Sequence, residues 1–447
     1  MDAQAQKILE GSGDSISSAF GHFSVPPSQT SVTRGRYEAA EPTAGGSKTG
    51  KFEISVPAAD GVYTDLSTSY LQVEARVVKA NGAAVPNTDD GTHVWPKDNL
   101  AHSLFERIVV SMNGRDVEHI SNYATYAYVS NLINYDSETQ KNVLGASSGW
   151  IADDSRGKDA ADNPGPDVAK RKRFVKNSPT LSFTMRPRSA VLASEAYLFP
   201  GTSLTLTFHR SPAAFCLFAA DNSPTNGASV VIDKVTLYAN RLKANASLFS
   251  SQMELALAGN MINYPIRRIK ERTKLLVAGE TMASLSFPTQ QQRPSRVIVA
   301  LVNAGASSGN FTLNPFKFSH YSITSFECKV EGLGDSILYE TDFTTGAGLA
   351  RPYASLAQSV GRFETERPFA LSFDEWKNGS TLWAFDLSEE KSRDGSTFQL
   401  VRSGRLSFNI RFGAALPHNV SVLFFTEQDD VIRTGLNNDI STLVPVL

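Results

Sequence analysis

The sequence is poor in cysteine, carries no large excess of charge of either sign and contains no long apolar run. Its two cysteines, Cys216 and Cys328, are too few for a disulfide framework or a multi-thiolate metal site, which fits a reducing compartment. The formal net charge of −2 gives no overall basic field, so any contact with nucleic acid has to be local. No stretch approaches the roughly 18 apolar residues of a membrane span, and no secretory signal is visible at the start of the sequence.

Motifs that would indicate catalysis or cofactor binding lack the context they need. Residues 45–51 have the spacing of a phosphate-binding loop, but Phe52 stands where the Mg²⁺-binding hydroxyl belongs and a predicted strand follows. Residues 305–309 fit the pattern of a nucleophile elbow, yet a predicted strand and turn follow in place of the helix that the motif requires. The seven histidines form no metal-binding motif. We therefore predict no enzyme, no catalytic residue, no cofactor and no metal.

Strand-forming residues are abundant, with 26 Phe and 13 Tyr alongside many Val and Thr. The clearest strand pattern places Leu406, Phe408, Ile410 and Phe412 at every second position with polar residues between them. Similar stretches lie near residues 52–56, 71–77, 104–112, 202–209, 230–238, 296–302, 322–330, 397–411 and 420–426. Strands this numerous with few helices between them predict an all-β protein of sandwiches or barrels.

The order of elements in the first half of the chain recurs in the second. In each half a strand, a turn containing glycine and a second strand precede a helix, which we predict over residues 122–134 and again over 352–360. A third helix, over residues 248–258, lies between the two copies. One β unit used twice, with loops of different length, is the simplest explanation.

The length of 447 residues allows two large β domains. We expect a flexible arm over residues 1–50, a first domain over 51–245, a helical linker over 246–262, and a second domain with a C-terminal tail over 263–447. Within the first domain, residues 146–180 are rich in Gly, Asp, Asn, Pro and Lys. They predict a long surface loop that is functional or partly disordered.

The densest run of positive charge lies in that loop and consists of Lys170, Arg171, Lys172 and Arg173. A few cations can neutralise phosphates without reading base sequence, so the run is a candidate contact with nucleic acid or a nuclear-import signal. A solvated loop edge with no partner is the alternative.

Three blocks of sequence together resemble one family. The first joins residues 99–114, which end in an Asn-Gly turn, to the aromatic stretch 122–135; the second joins 314–321 to 328–332 and 351–353; the third joins 400–404 to 422–432. In this order they resemble the double jelly-roll major capsid proteins of Polinton/Maverick elements and adintoviruses, which are relatives of larger double jelly-roll DNA viruses. The resemblance is scattered over residues 52–435.

The resemblance implies two consecutive antiparallel jelly rolls of eight strands, with a few short helices in loops. Family members form homotrimers whose six rolls make a pseudo-hexameric capsomer, and such capsomers tile an icosahedral capsid of the virion. Implied partners are the chain itself, neighbouring trimers, penton and minor capsid proteins, and packaged DNA through non-specific contact. Assembly would take place in the host nucleus or cytoplasm. The family offers no catalytic residues to transfer.

Two alternatives remain open from the sequence. Two jelly rolls also suit a glycan-binding or glycan-processing protein, for which Trp95, Trp150, Trp376 and Trp383 would be candidate platforms. An accessory or vertex capsid protein is the other, although one jelly roll normally suffices for a penton.

Overall fold

A computed structural model describes residues 19, 22, 25–43, 50–86, 94–151, 153, 156–162, 166–219, 228–288, 292–330, 336–366, 368–389, 398–400, 404–436 and 439–443. These residues form antiparallel strands joined by loops and a few short helices, as the strand-rich composition predicts.

The strands of the first half are β1 (Val32–Ala40), β2 (Lys51–Val56), β3 (Val62–Lys79), β4 (Val94–Pro96), β5 (Phe105–Met112), β6 (Arg115–Ile120), β7 (Leu181–Met185), β8 (Leu204–Arg210), β9 (Leu217–Ala219) and β10 (Ala228–Ala244). Those of the second half are β11 (Ile262–Leu276), β12 (Met282–Pro288), β13 (Arg296–Asn303), β14 (Ile323–Val330), β15 (Ser336–Glu340), β16 (Leu382–Asp386), β17 (Arg405–Phe412), β18 (Val420–Thr434) and β19 (Ile440–Thr442).

The helices are α1 (Leu100–Ser103), α2 (Tyr123–Asn134), α3 (Ser137–Thr139), α4 (Gly145–Ser148), α5 (Pro166–Arg173), α6 (Ala213–Cys216), α7 (Ala246–Leu257), α8 (Ala304–Ser307), α9 (Ala350–Ser359) and α10 (Phe373–Lys377), with a π-helical turn over Gln140–Leu144 and a 3₁₀ turn over Ala160–Asp162. The three predicted helices correspond to α2, α7 and α9. In the described part of the chain, no helix is both long and apolar enough to cross a membrane.

Both halves have the same strand order. The first half contains the sheets β1-β10-β3-β7 and β2-β8-β5-β6, with β4 paired to β9 beside them; the second contains β11-β18-β13-β16 and β12-β17-β14-β15, with β19 added to the end of β18. If the eight main strands of each half are counted in chain order, both pairs of sheets are 1-8-3-6 and 2-7-4-5. This is an eight-stranded antiparallel jelly roll formed twice, so the predicted fold class is confirmed.

Each jelly roll buries its core between its two sheets. In β17 the alternation predicted from sequence is present, with Leu406, Phe408, Ile410 and Phe412 buried and the intervening residues at least partly exposed. Phe408 contacts Phe424 of β18 in the facing sheet, with ring centroids 4.9 Å apart. In the first roll Phe52 of β2 stacks on Phe208 of β8 at 5.2 Å.

The expectation that regular structure begins only after residue 50 is wrong for β1. This strand pairs with β10 from Val32 to Ala40 and forms the outer strand of its sheet. Seven of its nine residues are exposed, so neither face carries the apolar repeat by which a strand is recognised in a sequence. The first eighteen residues of the expected arm lie outside the described residues, and their flexibility stays a prediction.

The segment 146–180 also differs from a simple surface loop. It contains the end of α4, the 3₁₀ turn and α5, and part of it is packed against the second half of the chain. Its backbone is fixed there by a hydrogen bond from Ala160 N to Thr312 O of 3.0 Å.

Candidate functional site

The residues that carried weak catalytic motifs have structural contacts. Ser307 of the elbow-like sequence lies in α8, where its hydroxyl donates to Ala304 O at 3.0 Å and lies 3.3 Å from the Ser421 hydroxyl. Lys51, at the end of the phosphate-loop-like sequence, lies in β2 and pairs with Glu53 at 2.7 Å, while residues 44–49 of that sequence lie outside the described residues.

The basic tract, residues 170–173, lies at the C-terminal end of α5, and its four side chains differ in exposure. Lys170 and Arg173 are exposed, and Lys172 is half-buried with its ammonium 6.0 Å from the centre of the Trp95 ring. Arg171 is only 1% exposed and points into the protein. It therefore cannot reach a phosphate group, and its assignment as a nucleic-acid or import contact is corrected. For Lys170, Lys172 and Arg173 that role stays a prediction.

Arg171 is held by two carboxylates. Its Nη2 donates to Asp98 Oδ1 at 2.8 Å and to Asp153 Oδ1 at 2.7 Å, and its Nε donates to Asp153 Oδ2 at 2.6 Å. Burial disfavours the charge of Arg171, but the two carboxylates outweigh it and raise its pKa. Burial raises the pKa of Asp98. These three buried side chains hold α5 against the segments that carry Asp98 and Asp153. Removal of one of them would leave an uncompensated buried charge.

Contacts between the two rolls form a junction that includes helix α2, residues 156–162 and strand β11. Helix α2 lies between them: Tyr123 and Ala127 belong to the core of the first roll, whereas Tyr128 and Leu132 belong to the core of the second. A helix with two apolar faces is expected where both faces are covered. The two cores are therefore connected through α2.

An aromatic stack crosses this junction. The Tyr128 ring lies between Trp150, at 5.0 Å, and Phe316 of the second half, at 4.3 Å, and both pairs are close to parallel. Phe215 meets the edge of Phe316 at 5.7 Å. Stacked and edge-on aromatic contacts stabilise beyond the area that they bury.

The segment 156–162 fastens the first half to the second. Asp159 accepts hydrogen bonds from the backbone N–H of Asn314, at 2.8 Å, and from the Lys317 ammonium, at 2.7 Å. The backbones of Gly157 and Gly379 are in direct contact. A Cβ added to Gly157 would lie 2.7 Å from Gly379 O. Glycine is required at both positions for two reasons: there is no room for a Cβ, and both residues have positive φ.

Two ionisable groups link the halves where water is scarce. The Lys97 ammonium donates to Ala214 O at 2.7 Å and to Asn310 O of the second half at 2.8 Å, and burial lowers its pKa to about 7. Glu271 of β11 accepts a hydrogen bond from the backbone N–H of Asn122 at the start of α2. Burial raises the pKa of Glu271 to about 7, although this hydrogen bond favours the charged form.

A buried ion pair completes the junction. Arg268 of β11 donates to Asp430 of β18 through Nε at 2.7 Å, and its Nη1 donates to the carbonyl of Val117 in β6 of the first roll. Arg268 is thus hydrogen-bonded both to its own sheet and to the neighbouring roll. How much a buried ion pair stabilises the protein depends on whether each of its donors has an acceptor.

The outer surfaces carry several apolar side chains. On the outer face of the sheet β1-β10-β3-β7, Tyr70 lies between Tyr37, at 5.3 Å, and Tyr238, at 5.1 Å. Exposed apolar residues elsewhere include Leu255, Leu257 and Met261 around the end of α7, and Leu275, Val277 and Met282 at the β11–β12 connection. Exposed apolar groups that cluster on a surface are typical of protein–protein contact.

Comparison with known proteins places the fold but not a sequence family. No family model matches the chain. An uncharacterized protein of Caenorhabditis elegans is 24% identical over 406 residues, which are 88% of this chain and 93% of that protein.

Three solved structures are similar over nearly their whole length. A chain of the Sputnik virophage has a TM-score of 0.58 at 12% identity and covers 99% of this chain and 93% of its own. The Faustovirus major capsid protein has a TM-score of 0.55 at 9% identity, with 91% and 92% covered. The mavirus major capsid protein has a TM-score of 0.52 at 10% identity, with 99% and 97% covered. The chain thus has the double jelly-roll fold of capsid proteins from virophages and large DNA viruses.

Sequence reasoning missed the junction because its partners are far apart in the chain. One signal for Arg171 was available: Val168, Arg171 and Val175 are spaced to lie on one side of a helix, and all three are buried. This spacing distinguishes Arg171, on the buried side of the helix, from the basic residues beside it.

Proposed function

We propose that this chain is a major capsid protein, a structural subunit without enzymatic activity. The observation that carries the proposal is the repeated 1-8-3-6 and 2-7-4-5 strand order, together with a fold shared over 97% of the mavirus major capsid protein and 92% of the Faustovirus one. A chain in which two rolls and their junction take up most of the described residues has the organisation of a building block. Its site of action would be the capsid of a virion, assembled in the host nucleus or cytoplasm.

The junction supports this role physically. Three chains that each hold two rolls in fixed orientation make a ring of six similar lobes, which is the homotrimeric, pseudo-hexameric capsomer of the proposal. The contacts through Tyr128, Asp159 and Arg268 keep the rolls from moving independently. The exposed apolar groups then supply contacts within the trimer, to neighbouring trimers and to penton and minor capsid proteins.

The finer assignment is to the Polinton/Maverick and adintovirus type. The relative in a nematode, which matches 88% of this chain, supports an element carried in animal genomes. The blocks of residues 99–135, 314–353 and 400–432 support the same assignment.

The basic end of α5 is proposed as a weak, non-specific contact with packaged DNA or an import signal. Lys170, Lys172 and Arg173 are the residues concerned, because Arg171 is buried. Replacing these three by alanine should lower the slope of log affinity for duplex DNA against log salt by about 0.9 for each phosphate that the protein no longer neutralises. Alanine at the exposed Arg34 and Lys176 is the control, and an unchanged slope and unchanged nuclear entry would leave a solvated helix end.

The glycan-binding alternative loses its candidate platforms. Trp95, Trp150, Trp376 and Trp383 are all at most 6% exposed, so none presents a ring to a sugar. An accessory or vertex role is less well supported because both rolls are present.

The mass of the purified protein in solution tests the proposal. Light scattering on a sizing column should give a species near three times the 48.5 kDa of one chain. A stable monomer at micromolar concentration would contradict the capsomer and favour an accessory or binding role, which glycan-array screening would then separate.

A further inference from the structure

A cleft of about 660 Å³ opens between the two rolls on the side of α2. Its walls are α2, the segment 186–196 that follows β7, and residues 265–269 of β11. The α2 residues that line it are Tyr126, Ser130 and Asn134, so the cleft includes neither the aromatic stack nor the basic end of α5. The cleft is large enough for a few residues of an extended peptide.

Positive charge dominates the lining. Four arginines line the cleft, Arg186, Arg188, Arg267 and Arg296, against two carboxylates, Glu195 and Glu427. Arg296 is paired with Glu427, and Arg267 with Asp429 at 3.4 Å, so the charge open to a ligand comes from Arg186 and Arg188. Arg186 is exposed. Arg188 is fixed by a hydrogen bond from its Nε to Asn131 Oδ1 at 2.9 Å and by the Tyr135 ring, which leaves its terminal nitrogens for the cleft.

Two buried donors in the lining have spare capacity. The Ser194 hydroxyl and the Arg296 Nε have no hydrogen-bond partner among the residues that the structure describes. Ser194 is 6% exposed and Arg296 is 4% exposed, and each belongs to the cleft wall. A buried polar group without a partner costs free energy, so a ligand whose acceptors reach these two atoms after the side chains turn toward the cleft would be bound with a gain.

Apolar side chains lie beside these donors. Leu192, Ile266 and Ile269 are part of the wall, and Phe398, which is 48% exposed, lies at its edge. Strand β11 is the outer strand of its sheet and pairs there with β18 alone among the described strands. An outer strand offers main-chain groups to an extended segment.

We propose that this cleft binds an extended peptide segment of another protein in which acidic and apolar side chains alternate. The carboxylates meet Arg186 and Arg188, main-chain carbonyls accept from the buried donors, and the apolar side chains cover Leu192 and Ile269. A phosphate-rich ligand would use the arginines but would make no contact with apolar groups such as Phe398, which is 48% exposed. The lining therefore favours peptide over polyphosphate.

The probe is a fluorescein-labelled hexapeptide, Glu-Leu-Glu-Leu-Glu-Leu, titrated with full-length protein and followed by fluorescence anisotropy. We expect saturable binding that weakens as salt rises, since the contacts are partly ionic. Peptides with Gln in place of Glu, and with Ser in place of Leu, should each bind at least about fivefold more weakly. Tripolyphosphate serves as the competitor that would reveal a phosphate site.

Arg186→Glu is the test variant, because Arg186 is exposed and its replacement should not disturb folding. Arg34→Glu on β1 makes the same charge change outside the cleft and is the matched control. We expect Arg186→Glu to weaken binding about tenfold and Arg34→Glu to leave it within about twofold. A second variant, Ser194→Ala, removes the hydroxyl with little change in side-chain volume, and should weaken binding without lowering the melting temperature.

Three outcomes would overturn the proposal: no binding up to millimolar protein, equal binding of the Gln peptide, or full displacement by tripolyphosphate together with equal binding of the Ser peptide. An Arg186→Glu protein that binds like the control would place the probe elsewhere and would overturn it as well. The light-scattering mass is independent of these results, so failure here does not affect the proposed capsomer.

Discussion

The sheet β1-β10-β3-β7 of the first roll and the sheet β11-β18-β13-β16 of the second have the same strand order but different surroundings. In the second, Phe424 faces the core and meets Phe408 at 4.9 Å, while the next residue, Phe425, meets Tyr126 of α2 at 6.0 Å on the opposite face. In the first, the outer face carries the Tyr37, Tyr70 and Tyr238 row and is partly open.

This difference shows in the sequence of the third strand of each roll. Strand β13 is buried at every position from Arg296 to Val302, whereas β3 alternates between buried and half-buried residues over Leu71–Ala75. Both faces of an antiparallel sheet become apolar only when something covers the second face. The same strand order therefore forms a sheet with one face partly open in the first roll and a sheet with both faces covered in the second.

The largest expected effect comes from placing a polar amide on either face of these strands. Ile298→Asn and Val299→Asn should each lower the free energy of unfolding by about 3 kcal/mol or more, because both faces of β13 are buried. In β3, Val73→Asn should be as costly, but Gln72→Asn should cost less than about 1 kcal/mol. Thermal and urea unfolding measure this, and a tolerated Ile298→Asn would contradict the covered second face.

A second effect concerns the aromatic stack at the junction between the two rolls. Tyr128→Ala should cost about 3 kcal/mol or more through the cavity left between Trp150 and Phe316. Tyr128→Phe should be neutral or slightly stabilising in thermal unfolding, because the buried hydroxyl has no partner among the described residues. If Tyr128→Phe is as damaging as Tyr128→Ala, the hydroxyl has a role that the packing does not explain.

A smaller effect is expected at the glycine contact. Gly157→Ala should lower stability by about 2 kcal/mol or more, since the added Cβ would lie 2.7 Å from Gly379 O and φ is positive. Gly61→Ala is the control with the same positive φ and open space around the Cβ position, and should cost about 1 kcal/mol. Equal melting temperatures for the two variants would mean that the rolls can separate at this point.

The last effect, spread over several pH units, is a dependence of stability on pH. The pKa of Glu271 is raised to about 7 in the folded protein from an ordinary 4.5, so the folded state binds more protons between these values. Stability from this group is complete below about pH 4.5 and falls as the pH rises through about 7. Glu271→Gln should make the melting temperature less dependent on pH in that window, whereas Glu254→Gln on the exposed face of α7 should not. A parallel profile for wild type and Glu271→Gln would contradict the burial.

Local pattern was sufficient for most strands and for three helices. Residues 296–302 and 406–412 were recognisable because their apolar residues either run continuously or alternate, and the duplication followed from the order of strand, turn, strand and helix. Strand β1 was missed because water reaches both its faces. Its hydrogen bonds to β10 leave no pattern in the side chains.

The junction and the cleft could not be predicted from sequence. Gly157 and Gly379 are separated by more than two hundred residues, and nothing in either neighbourhood indicates the other. The same holds for the arginines of the cleft, which come from three different stretches of the chain. Such sites depend on how the two rolls are placed against each other.

The most direct test of the account is electron cryomicroscopy of the main species that the purified protein forms. We expect a threefold ring of six similar lobes, two from each chain, with the junction ordered between the lobes of one chain. A monomer whose two rolls take variable orientations, or an assembly that is not built from such threefold rings, would contradict it.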